Sequence, residues 1–78
     1  METLTDESTF RVVRYRNGWR VDAFGTHATS RVRPHNAAAA LLRRLPGGRR
    51  FWPVARRQES DGVVFGVVRR CPEDCRLD

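Results

Sequence analysis

Residues 15–19 read Tyr15-Arg16-Asn17-Gly18-Trp19 (YRNGW), and the register of this turn decides which side chains build the core. Asn-Gly between alternating apolar and basic residues is the strongest short-range hairpin signal in a sequence. A two-residue Asn17-Gly18 loop sets Arg16 opposite Trp19 and Arg14 opposite Val21. Two arginines then share the face of Trp19, Val21 and Ala23, which makes a poor core. A three-residue loop of Arg16, Asn17 and Gly18, with Gly18 left-handed in a bulge, pairs Tyr15 with Trp19 and Val13 with Val21. Arg14 then opposes Arg20, Val12 opposes Asp22, and Phe10 opposes Phe24 on the other face. A one-residue slip flips every side chain. Only the three-residue loop gives a coherent apolar face, and it is the register expected.

The flanking runs read as strands, at residues 10–16 (FRVVRYR) and 19–25 (WRVDAFG). Residues 26–33 (THATSRVR) allow either a third short strand or an extended approach to a helix. The helix itself is clear. Pro34 suits a first-turn position and Asn36 is a good N-cap. The alanine-leucine run from Ala37 to Leu45 places Ala38, Leu41, Leu42 and Leu45 on one stripe. Pro46-Gly47-Gly48 ends it. Residues 50–57 (RFWPVARR) and 63–70 (VVFGVVRR) complete the strands, joined at Glu59-Ser60-Asp61-Gly62. Pro53 cannot donate to a ladder, so its strand belongs at an edge. The expected fold is α+β, an antiparallel sheet of about four strands (β-β-α-β-β) with one helix packed on one face. Residues 1–9 are expected to be a flexible acidic lead, 10–70 a single domain, and 71–78 an acidic C-terminal tail.

The charge is unevenly placed. The chain of 78 residues carries a formal charge of +6, yet residues 10–70 hold fourteen arginines against Asp22, Glu59 and Asp61. That is an excess of eleven, which favours a polyanionic partner such as nucleic acid or an acidic protein surface. Lysine and isoleucine are absent, the mark of a GC-rich genome, and this explains arginine in place of lysine. It does not explain the scarcity of acids. No apolar run approaches a membrane span, and residues 1–7 are acidic where a signal peptide is basic. A cytoplasmic protein without membrane contact is expected.

The candidate binding residues are the arginines clustered away from acids. These are Arg14, Arg16 and Arg20 on the first hairpin and Arg43, Arg44, Arg49 and Arg50 around the helix end. Arg14 facing Arg20 is unfavourable by roughly a few tenths of a kcal/mol unless an anion relieves it. Phe10 and Phe24, interleaved with arginines on a sheet face that one helix leaves open, form a candidate patch for base stacking or for a homodimer. The alternative is solvated charge at element ends, with Asp22 bridging the arginines. Cys71 and Cys75 are spaced CxxxC, outside the usual zinc and redox spacings, and are expected to be reduced thiols, with a local disulfide or a metal site as the alternatives. No catalytic, cofactor-binding or metal-ligating set is expected, and the chain is not read as an enzyme.

A basic hairpin, a linker, Pro34 ahead of the run Ala37 to Ala40, and a second hairpin together resemble some small phage-encoded anti-CRISPR proteins. The likeness covers residues 10–70 in element order, and Pro34 and Ala37 to Ala40 in actual letters. It implies a stand-alone inhibitor in the cytoplasm of a bacterial host, binding a nucleic-acid-guided surveillance ribonucleoprotein without catalysis. Many such inhibitors are acidic DNA mimics, whereas this chain is basic. Acidic protein patches, guide RNA or DNA are then the implied contacts. A regulatory module that binds DNA or RNA directly, and a dimerising structural subunit, are the alternatives.

Overall fold

Alternation of apolar with polar residues makes strands of Thr9–Tyr15 (β1), Gly18–Ala23 (β2) and Thr26–Ser30 (β3). They are followed by the helix Pro34–Arg44 (α1), a 3-10 turn at Gly48–Arg50, and strands Phe51–Glu59 (β4) and Gly62–Arg69 (β5). The computed structural model describes residues 4–69. The strands form one antiparallel sheet of five, in the order β3-β2-β1-β5-β4, rather than about four. The additional strand is β3, whose Ala28 adds a small buried side chain to the core. Pro53 lies on β4, an edge strand, where a missing N–H is tolerated.

The first hairpin takes neither of the registers weighed above. Tyr15 pairs with Gly18 and Arg14 with Trp19, so the loop is Arg16-Asn17. Arg16 is the residue with positive φ, at 57°. Gly18 does not need a left-handed backbone. It is glycine because a Cβ there would collide with the backbone carbonyl of Ser30 on β3. The second hairpin loop, Phe24-Gly25, has positive φ at both positions, 54° and 77°, as a type I′ turn requires.

The shift flips β1. Phe10 and Val12, not Val13 and Tyr15, face the core, and they meet Val21, Val63 and Phe65 there. Phe10 is buried, stacked on Phe65 at 6.1 Å and meeting the edge of Phe24 at 6.4 Å. An exposed Phe10–Phe24 patch is therefore not present, and Arg14 and Arg20 lie on opposite faces of the sheet.

α1 covers the core face. Proline at N1 costs no hydrogen bond, and Arg33 before it is extended (φ −147°, ψ 153°), as a residue preceding proline prefers. The helix therefore starts at Pro34, and Asn36 is not its cap. Ala37 and Ala38 allow close approach to the sheet, while Leu41 and Leu42 fill the space between. Each buried leucine contributes about 1.5–3 kcal/mol relative to exposure, which a helix of 11 residues needs in order to persist. Within the N-terminal stretch, residues 4–8 make a turn in which the Ser8 amide donates to the Thr5 carbonyl (3.0 Å) and Leu4 packs on the core.

Candidate functional site

Among the described residues no element covers the sheet face opposite α1, and Asp22, Glu59 and Asp61 pair with arginines on that side. The Arg20 guanidinium grips Asp22 with Nε at 2.8 Å and a second nitrogen at 3.1 Å. That hydrogen bonding holds the Asp22 carboxyl below its ordinary range and raises the Arg20 pKa. Asp22 accordingly keeps its charge to a lower pH than an unpaired aspartate, and the pair is lost as the pH falls through that lowered value. Arg11 Nε lies 2.8 Å from Glu59 Oε1 without the alignment of a hydrogen bond, and a second Arg11 nitrogen donates to Asp61 at 3.0 Å. Arg57 donates to Glu59 at 2.9 Å. Exposed pairs of this kind each contribute about 0–1 kcal/mol. Their main effect is to neutralise the open face.

Arg69 pairs with Asp6 at 3.1 Å, away from this lattice, and eight further arginines have no such pair. Arg14, Arg16, Arg31, Arg33, Arg43, Arg44, Arg50 and Arg56 make no ion pair with an acid among the described residues. The register divides most of them between two ends of the sheet. At one end, β1 and β2 meet at the Arg16-Asn17 turn and β3 finishes beside Gly18, which brings Arg14, Arg16 and Arg31 around one hairpin tip. α1 leaves from that end and finishes beside the start of β4, where Phe51 pairs with Arg69. Arg43, Arg44, Arg49 and Arg50 gather there. The seven arginines singled out in the sequence thus do not form one surface, and Arg20 lies over Tyr15 beside the tip with its charge already paired to Asp22.

Two open clefts flank the hairpin tip. One, of about 300 Å³, is lined by Tyr15, Arg16, Trp19, Ser30 and Arg31. The other, of about 430 Å³, is lined by Arg14, Arg16, Asn17, Trp19 and Val32. Guanidinium groups lie against both aromatic rings: Arg14 is 5.2 Å from the Trp19 centroid, and Arg16 and Arg20 are 5.5 and 5.4 Å from that of Tyr15. Such contacts contribute about 0.5–1 kcal/mol when exposed and hold the cations in place. At the helix end, a groove of about 250 Å³ has an apolar floor of Ala39, Leu42, Phe51 and Pro53 with Arg43 on its rim.

Arg31, Tyr15 and Trp19 were not singled out in the sequence as tip residues. The signal was available in residues 26–30: read as a returning strand, they carry the chain back to Gly18 and set Arg31 beside the turn. Arg70, Cys71 and Cys75 lie outside the described residues. Among the described residues no group of three histidines, cysteines or carboxylates is placed to hold a metal, and no helix is long and apolar enough to cross a membrane. No family model matches the chain, and neither does any curated protein or solved structure.

Proposed function

We propose that this chain is a small non-catalytic binding protein that captures nucleic acid with the clefts at its hairpin tip. The observation carrying this reading is the convergence of Arg14, Arg16 and Arg31 on clefts that also contain Tyr15 and Trp19, with no carboxylate among the described residues that line them. Guanidinium groups meet phosphate oxygens bidentately, and aromatic rings stack on bases whatever their sequence. The biological setting we propose is that of a phage-type inhibitor resembling the anti-CRISPR proteins, which meets guide RNA or DNA on a bacterial surveillance complex. A direct regulatory role on DNA or RNA uses the same clefts. The apolar floor of the helix-end groove favours a second reading, in which an acidic protein surface docks beside Arg43 and Arg44.

Fluorescence anisotropy with random-sequence single-stranded and duplex oligonucleotides, titrated across salt, tests the first reading. Affinity is expected to fall steeply with salt, and Arg16→Ala with Arg31→Ala to weaken it about tenfold or more while lowering the salt slope by about 1.5. Arg43→Ala with Arg44→Ala is expected to bind as the parent does, and melting temperatures of all variants to stay close together. Salt-insensitive or absent binding by the parent sinks the nucleic-acid reading. A loss confined to the helix-end variant transfers the site to that groove.

A further inference from the structure

The two edges of the sheet are unlike. β4 is defended against further pairing by Pro53, by a bulge between Ala55 and Arg57, and by Arg56 and Arg57. β3 has none of these devices. Its five residues, Thr26-His27-Ala28-Thr29-Ser30, contain no proline, glycine or arginine, and pair with β2 without a break from Ser30 to Thr26. Ala23 and Thr26 close a two-residue loop, so they are a hydrogen-bonded pair, and alternation makes Val21–Ala28 and Trp19–Ser30 hydrogen-bonded as well. The N–H and C=O groups of His27 and Thr29 therefore point outward from the sheet.

We propose that β3 pairs antiparallel with β3 of a second copy of this chain, about a two-fold axis at Ala28, to give one continuous sheet. In that register His27 exchanges both backbone hydrogen bonds with Thr29 of the partner subunit, and the reverse pair does the same. Ala28 meets its counterpart as the non-hydrogen-bonded pair, where the backbones come closest and a small residue fits. Three features select a second copy as occupant. No like charges oppose each other along the strand pair. Inversion also aligns the Asp22 end of one Arg20–Asp22 pair with the Arg20 end of the partner's pair, so the charge pattern complements itself. The same register sets Arg31 and Val32 beside the turn formed by Gly25 and Phe24 of the partner subunit. Val32 is the most exposed large apolar residue of the described chain, at 69 %.

Each copy carries a formal charge of +6, so long-range repulsion opposes pairing and salt relieves it. Dimerisation is therefore expected to strengthen with salt, the reverse of oligonucleotide binding, and this opposite salt response tells the two proposals apart although Arg31 and Val32 lie both in the clefts and in the seam. Sedimentation velocity of the full chain, across the micromolar to millimolar range at low and high salt, gives the readout. The parent is expected to shift from monomer to dimer. Thr29→Pro removes an outward N–H that the ladder with β2 does not use, and Thr29→Lys adds the charge that an edge strand uses for protection. Both are expected to weaken dimerisation by at least about tenfold, with circular dichroism and melting of the dilute protein unchanged. A parent that stays monomeric throughout overturns the proposal. So does dimerisation equally strong in Thr29→Lys, which would place the contact on another surface.

Discussion

Phe65→Ala is expected to destabilise the domain by about 3–5 kcal/mol, against roughly 5–10 kcal/mol in total for a chain of this size. Phe65 is 1 % exposed at the middle of β5, with Phe10 as its cross-strand neighbour on β1 and Ala55 on β4. Its ring stacks on Phe10 at 6.1 Å with planes 10° apart, and His35 of α1 meets it edge-on at 6.0 Å. The vacancy left by the ring cannot close easily, because β5 is hydrogen-bonded to a strand on either side. Lost transfer energy and an unfilled cavity therefore add. Chemical denaturation measures the loss, and Phe65→Leu, which refills most of the volume, is expected to lose less than half as much. A loss within about 1 kcal/mol for the alanine variant would contradict the core described here.

Gly48→Ala is expected to cost about 3 kcal/mol or more, a large effect for one added methyl group. Gly48 opens the 3-10 turn after α1, and its amide donates to the Leu45 carbonyl at 2.9 Å. A Cβ at this position would overlap the carbonyl group of Leu42, in the last turn of the helix. The obstacle is backbone, so no side chain can swing aside. The connection between α1 and β4 has to open, next to the buried Phe51. Gly47 supplies the control. Its φ is 74° and its Cβ would meet nothing, so Gly47→Ala costs only the left-handed penalty of about 1 kcal/mol. Similar thermal shifts in the two variants would show that backbone conformation, not contact with the helix, governs this loop.

The helix, the element order apart from β3, the edge position of Pro53 and the Ser60-Asp61 turn were legible because each rests on a local signal. The first hairpin was not, although its location was. Local chemistry assigns Gly18 to the turn, whereas the glycine is required by the approach of Ser30 from a strand that residues 26–30 only half announce. Once the loop shortens by one residue, from Arg16-Asn17-Gly18 to Arg16-Asn17, Phe10 enters the core and Tyr15 leaves it. β2 kept its expected inward face of Trp19, Val21 and Ala23 because the shift falls entirely on β1. The basic character of the site was legible from charge alone. Its location was not, since adjacency of Arg14, Arg16 and Arg31 depends on pairings remote in sequence.

On the proposed nucleic-acid reading, the left-handed backbone of Arg16 sets thermal endurance and grip against each other at a single residue. An arginine held at φ 57° gives up roughly 1 kcal/mol that glycine would retain. Arg16→Gly is therefore expected to melt slightly higher than the parent while holding oligonucleotides less tightly. A screen that ranked variants by heat resistance alone would favour this substitution, and would discard the guanidinium at the apex of both clefts. Only a screen that also reads binding would keep it.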